Sequence, residues 1–212
     1  DKLDETTINA LSSSIKIIAC YTAGHENVDG ITARNRGIVV TNSPDSVTNP
    51  TAEIAMLLML GAARRGAEAD KLVRSGKWSG WHTEFMIGQS LIGKKLGIFG
   101  MGRIGKAVAI RAKIFGLEIH YHNRKKLSSS EEDGAIYHAT SDSLLKNSDI
   151  LSLHCALTED TRGFLSKQRI DLLPKGAIVI NTSRGEVIDD NALIEALKSG
   201  HVASAGLDVF NK

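Results

Sequence analysis

No apolar run in this 212-residue chain reaches membrane-spanning length. The longest, Ile54 to Ala63, is far short of the roughly 20 residues a bilayer span needs, and no charged-then-apolar signal segment opens the chain. Charge of one sign is missing too. Lys plus Arg number 26 and Asp plus Glu 24, a net charge of +2, which is too balanced for a nucleic-acid-wide electrostatic footprint; any basic site must be local. Cysteine is scarce. Cys20 and Cys155 lie far apart without CxxC or other ligand spacing, which removes support for a disulfide framework or a zinc site and makes a reducing cytoplasm the default compartment. Each ends a strand-like run (IKIIAC, DILSLHC), where a small buried hydrophobe is expected rather than a reactive thiol. What is present is ordinary globular composition, 42% hydrophobic and 24% charged, enough for one large domain or two small ones.

Strand-like and helix-like stretches alternate. IKIIAC at 15–20, a polar helix-like stretch near Val28 to Arg36 and GIVVTN at 37–42 form a βαβ signature. Asn49 to Ser75 reads as one long helix, apolar first and charged later, with Asn49 or Thr51 as cap and Pro50 near its first turn. Gly76 to Gly93 is rich in Gly and aromatics without either period and reads as an arm or linker. From Lys94 a second block follows: KLGIFG strand, helix 103–115, LEIHYH strand, a poorly patterned stretch to Ser143, DILSLHC strand, helix near 165–172, AIVIN strand, helix 189–199 and a strand near 202–208. Short apolar strands separated by helices predict a doubly wound parallel sheet covered on both faces.

Gly100-Met101-Gly102-Arg103-Ile104-Gly105 is a GxGxxG placed directly after a strand and opening a helix. In that setting Gly100 permits the tight turn, Gly102 lets backbone approach a pyrophosphate, and Gly105 allows close packing of helix on strand, with the helix N-terminus adding positive dipole. A dinucleotide site is therefore predicted. An NAD-preferring site should carry an acidic residue about 20 positions on, to accept from the ribose 2′-hydroxyl. Here stand His122, Asn123, Arg124, Lys125 and Lys126. A carboxylate would repel a 2′-phosphate, whereas Arg124 can pair with it bidentately and Lys125 as a point charge. The expectation is NADPH, with NADH possible; the competing explanation is a solvated basic turn. Where a buried strand gives way to the loop Asn181-Thr182-Ser183-Arg184-Gly185, Arg184 lies over the crevice, and its planar fork suits an anionic 2-oxo acid; a surface or cap arginine is the plainer alternative.

Taken in order and register, GIFGMGRIGKAVAIRAKIFG, YHNRKKL, SLHCALTEDTRGFLS, NTSRGEVIDDNALIEAL and AGLDVF resemble the D-isomer-specific 2-hydroxyacid dehydrogenases, in particular their glyoxylate and hydroxypyruvate reductase branch. The resemblance implies a Rossmann-like nucleotide domain plus part of a flavodoxin-like substrate domain: residues 1–48 from the substrate domain, 49–93 hinge helix and arm, 94–212 the nucleotide-binding domain. It implies reduction of a small 2-oxo acid to the 2-hydroxy acid, D where chiral, by hydride transfer. By position, backbone amides of the Thr22-Ala23-Gly24 loop (Ala23 and Gly24 above all) and Arg184 would bind the substrate carboxylate, with Arg184 also catalytic in polarising the carbonyl. Arg103 and Ile104 would meet the pyrophosphate, Thr182 and Asp208 the nicotinamide end, and Ala156 the adenosine side; Asn123 joins Arg124 and Lys125 at the ribose. Ala156 departs from a proline common in the family.

The family's histidine acid-base and its orienting glutamate would follow the AGLDVF strand, beyond Phe210. None of His25, His82, His120, His122, His138, His154 or His201 matches that histidine's motif, so each is expected to be a surface or core residue, and no metal is expected. The chain accordingly reads as an internal fragment of such an enzyme. The alternative is a non-catalytic NADP(H)-binding module lacking the acid pair. Expected partners are the small acid and a second copy, in a homodimer with no nucleic acid and no membrane; the Trp78 to Met86 arm could be the dimer contact or pack within its own chain.

Overall fold

The computed structural model describes residues 2–211. They form two compact units that divide after Pro50. In the first, α1 (Glu5–Ala10), β1 (Ile17–Ala19), α2 (Gly30–Asn35) and β2 (Val39–Thr41) follow one another. β1 and β2 pair in parallel, with Ile18 opposite Val40, so the βαβ expectation holds. Both helices start on an aspartate: Asp4 accepts from Thr7 N–H at 2.9 Å, and Asp29 from Ile31 and Thr32 N–H at 3.0 and 3.1 Å. These bonds satisfy donors that a helix start leaves free. The helices and strands enclose a small core of Ile8, Val28, Ala33 and Ile38.

The helix expected over 49–75 differs in both start and length. α3 runs Pro44–Ala63 and α4 Gly66–Arg74. α3 begins on a proline, whose missing N–H is harmless in a first turn, and then runs through DSVTN, which has no apolar period to announce it. It carries Pro50 inside. At its end another segment takes the last carbonyl: Gln89 N–H donates to Ala63 O at 2.8 Å. The crossing is tight enough to demand glycine, since a Cβ on Gly88 would lie 2.4 Å from Ala63 O and 2.9 Å from Arg64 Cα. Arg65 then adopts a left-handed conformation (φ 57°) before α4, held by a bidentate pair with Glu68. No helix or strand is found over 75–94, in keeping with an arm. Gln89 Nε2 also bonds Gly176 O at 3.0 Å, and Leu91 is buried, whereas Trp81 is 78% exposed.

β3 (Lys95–Phe99), α5 (Arg103–Ile114), β4 (Glu118–His122), α6 (Ser129–Glu132), β5 (Ile136–Tyr137), α7 (Ser141–Lys146), β6 (Ile150–Leu153), α8 (Lys167–Ile170), β7 (Ala177–Asn181), a 3-10 turn at Gly185–Val187, α9 (Asp190–Ser199) and β8 (Val202–Leu207) complete the second unit. The six strands lie in the order β5-β4-β3-β6-β7-β8, all parallel. This is the doubly wound sheet the strand and helix alternation predicts. The stretch before Ser143 is more ordered than its patterning implied. It holds α6, β5 and the start of α7, stabilised by a capping box at Ser128 and Glu131 and by the Thr140 cap.

Alternation along the strands feeds two cores. Leu96, Ile98, Ile119, Tyr121, Ile178 and Ile180 face one layer together with α3 and α5. Phe99, Leu151, Leu153, Val179 and Val202 face the other, with α7, α8 and α9. Among the described residues no helix is long and apolar enough to cross a membrane, and no group of three or more His, Cys, Asp or Glu could hold a metal ion.

Candidate functional site

In an open parallel sheet, the strand order reverses where neighbours on either side connect in opposite directions, and ligands bind at the carboxyl ends there. That point lies between β3 and β6. The glycine loop leaves β3 at Gly100, and His154 and Cys155 leave β6 directly against it. Gly100 has φ 96°, and a Cβ on it would lie 2.8 Å from Cys155 N and 2.9 Å from the His154 carbonyl. Only glycine meets both demands. A Cβ on Gly105 would approach Gly100 O to 2.7 Å and Ile98 Cγ2 to 3.0 Å, so that residue brings α5 down onto β3. Gly102 is different: a Cβ there meets nothing within 4 Å. Its small size answers no need of the protein's own packing, and it leaves room above the start of α5, where Arg103 and Ile104 open the helix. These residues fit a dinucleotide pyrophosphate.

The end of β4 is stitched to this loop. Gly100 N–H donates to His122 O at 3.1 Å. Asn123 accepts from Met101 N–H at 2.7 Å and donates to Met101 O at 3.3 Å. Beyond it, Arg124 and Lys125 are exposed and make no hydrogen bond or ion pair among the described residues. Lys126 is engaged differently, 3.7 Å from Glu132 and over the Tyr137 ring. The basic run therefore presents two uncommitted cations where three were read.

Register brings Thr182 and Asp208 to neighbouring strand ends. Asn181 of β7 lies opposite Leu207 of β8, and Asp208 N–H donates to Asn181 O at 3.0 Å. Thr182 and Asp208 thus leave adjacent strand ends, Thr182 buried and Asp208 exposed. Ala156 is exposed on the loop after β6, its carbonyl accepting from Thr161 Oγ1 at 2.7 Å. Arg184 is half-buried, with Nη1 donating to Ser183 O at 2.7 Å. In the first unit, the Thr22-Ala23-Gly24 turn follows β1. Asn42 Nδ2 bonds Ala23 O and Thr22 Oγ1 bonds Gly24 O, each at 2.6 Å.

Two contributors escaped sequence reasoning. Asn181 is 1% exposed; its Oδ1 accepts from Ser183 N–H and Oγ at 2.9 and 2.8 Å, and its Nδ2 donates to Arg184 O at 2.8 Å. It fixes the loop that carries Arg184. An asparagine bonding the backbone two residues on is a turn signal, readable in Asn181-Thr182-Ser183. His154 sits beneath the glycine loop with Nε2 2.8 Å from Ser152 Oγ and Nδ1 3.4 Å from Thr182 Oγ1. Burial lowers its pKa to about 4, so it is a neutral ring orienting hydroxyls. Burial also pushes the Cys155 thiol up to about 11, which keeps it protonated and unreactive near neutral pH.

The family described as D-isomer specific 2-hydroxyacid dehydrogenase, NAD binding domain, matches residues 56–212. A glyoxylate reductase of Thermococcus litoralis is 46% identical over 216 residues, covering 100% of this chain and 65% of its own. A glycerate dehydrogenase of Hyphomicrobium methylovorum is 43% identical, covering 99% of this chain and 66% of its own. The crystal structure of a glyoxylate reductase from Paecilomyes thermophila superposes with a TM-score of 0.91 at 43% identity, covering 100% of this chain and 63% of that one. The chain therefore spans just under two-thirds of the length of each of these relatives. It belongs to the D-isomer specific 2-hydroxyacid dehydrogenase family.

Proposed function

We propose that this chain is the nucleotide-binding part, with a portion of the substrate-binding part, of an NADPH-dependent reductase of small 2-oxo acids such as glyoxylate or hydroxypyruvate, yielding the 2-hydroxy acid in its D form where chiral. The observation that carries this reading is the contrast among the three glycines: Gly100 and Gly105 are fixed by the protein's own packing, while Gly102 faces open space at the start of α5. The names of the relatives support the substrate class, and the uncommitted Arg124 and Lys125 support the phosphorylated cofactor.

A nicotinamide cofactor, when bound, would supply the hydride. The chain's own residues bind and orient. Backbone N–H groups at Arg103 and Ile104 meet the pyrophosphate with the favourable end of the α5 dipole. Arg124 and Lys125 pair with the 2′-phosphate, and Asn123 lies at the same end. Thr182 and Asp208 hold the carboxamide end, and Ala156 lines the adenosine. Arg184 anchors the carboxylate and stabilises negative charge developing on the carbonyl oxygen, as a preorganised cation does best in a water-poor site. Ala23 and Gly24 offer amides to a carboxylate.

The test is a titration of the complete protein, including the residues that follow Lys212 in it, with NADPH and NADH, followed by glyoxylate-dependent NADPH oxidation. Binding with turnover is expected. Binding without turnover would instead favour a non-catalytic NADP(H)-binding module, and no binding would overturn the reading. Where turnover is seen, Arg184→Ala should remove most of it while leaving NADPH affinity intact. Arg124→Glu with Lys125→Ala should move preference toward NADH; an unchanged preference would reduce the basic run to a solvated turn.

A further inference from the structure

We propose that Asn123 is a positioning residue that orders the glycine loop before any cofactor arrives, acting through Met101 rather than touching the ligand. This deepens the dinucleotide reading above and rests on it. The Met101 peptide sits between Gly100 and Gly102 and presents both an N–H and a carbonyl toward β4, and the residue is 2% exposed. A primary amide is the one side-chain group that offers an acceptor and a donor, side by side and uncharged. Asn123 uses both, its Oδ1 2.7 Å from Met101 N and its Nδ2 3.3 Å from Met101 O. Its own carbonyl lies 3.5 Å from the Tyr137 hydroxyl, so the residue is held from β5 as well.

The chemistry of this position separates two tasks that a carboxylate would combine. An acidic residue could accept from Met101 N–H, but its second oxygen would face the Met101 carbonyl as acceptor against acceptor, and its charge would oppose a 2′-phosphate. The amide holds the loop without charge and leaves the ribose end to Arg124 and Lys125. Because the glycine loop meets the pyrophosphate common to both cofactors, loss of the clamp should weaken NADPH and NADH alike. Direct contact with the 2′-phosphate would instead show in NADPH alone.

Asn123→Ala and Asn123→Asp would be prepared in the full chain. Affinity for NADPH and NADH would be measured by calorimetry, thermal stability by Tm, and amide exchange at Met101 and Gly102 without cofactor. Loss of two bonds should weaken both cofactors by a similar factor, about tenfold, with faster exchange at Met101 and Gly102 and a modest fall in Tm. Asn123→Asp retains the Met101 N–H acceptor and should weaken NADPH more than NADH. Weakening confined to NADPH in Asn123→Ala would overturn the proposal, as would a lowered Tm with unchanged affinities, or unchanged exchange at Met101. If the unaltered protein bound neither cofactor, the dinucleotide reading would fail, while the exchange rates would still decide whether Asn123 orders the loop.

Discussion

The two units begin from the same βαβ logic and reach different depths. In the second, each central strand contributes to a core on both faces of the sheet, so Leu96 and Ile98 pack one way and Phe99 the other. In the first, the described residues cover one face of β1 and β2: Ile18 and Val40 turn inward, while Ile17 and Val39 are 57% and 58% exposed. Four buried apolar residues support that unit. A parallel sheet gains its stability from being covered on both sides, and a two-stranded one has little of its own. Side-chain caps occur in both units, at Asp4 and Asp29 in the first and at Thr140 and Asp189 in the second, so the difference in local stability is expected to follow the number of covered faces.

The largest effect expected from this difference is on Ile8→Ala. Removing one of four core side chains should abolish exchange protection throughout the first unit while the amides of β6 and β7 stay protected; mass-resolved hydrogen exchange reads both at once. Simultaneous loss in the two units would break the comparison. Leu151→Ala, at a fully buried position between covered faces, should cost about 3 kcal/mol in denaturant unfolding of the second unit, without first-unit exchange becoming slower.

Acid should dissect the units next. His154 has its folded pKa held near 4, below the ordinary 6.5, by burial, and burial also lowers His120 and His138, each disfavoured further by a nearby cationic or imidazole group. A histidine depressed on folding gives stability that is complete above about 6.5 and is lost as pH falls toward 4, because the unfolded chain binds the proton first. The second unit should therefore weaken across that window, and His154→Gln, which keeps polar partners for Ser152 and Thr182, should flatten the slope of stability against pH. A slope unchanged by this variant would remove His154 from the acid response. The smallest effect belongs to the first unit. Asp4 and Asp29 are held below the ordinary 3.8 by the helix N–H groups they cap. Their contribution persists above that value and fades only as pH falls below it. Asp29→Ala should loosen α2 slightly at pH 7 by circular dichroism and leave the second unit's pH slope unchanged.

Much of this was legible in the residues. The strands announced themselves because each is a short apolar run, and Gly100, Gly102 and Gly105 could be assigned separate roles because a strand precedes them and a helix follows. The start of α3 was hidden because its first turns are polar, and its end because the segment that caps it, Gly88-Gln89, lies more than twenty residues away in sequence. α6 and β5 are too short for any period. The pairing of the Asn123 amide with Met101 has no sequence signal, since only the folded chain brings the two together. His154 carried no signal at all, its significance arising from Ser152 and Thr182 on two different strands.

The strand order carries a consequence for how the second unit is made. Its first strand in sequence, β3, is central, and each later strand joins an edge already present: β4 and then β5 on one side, β6, β7 and β8 in turn on the other. Growth from the ribosome never requires a new strand to be inserted between two paired ones. Each of the described strands is added at an edge, so the order of synthesis and the finished topology run outward together.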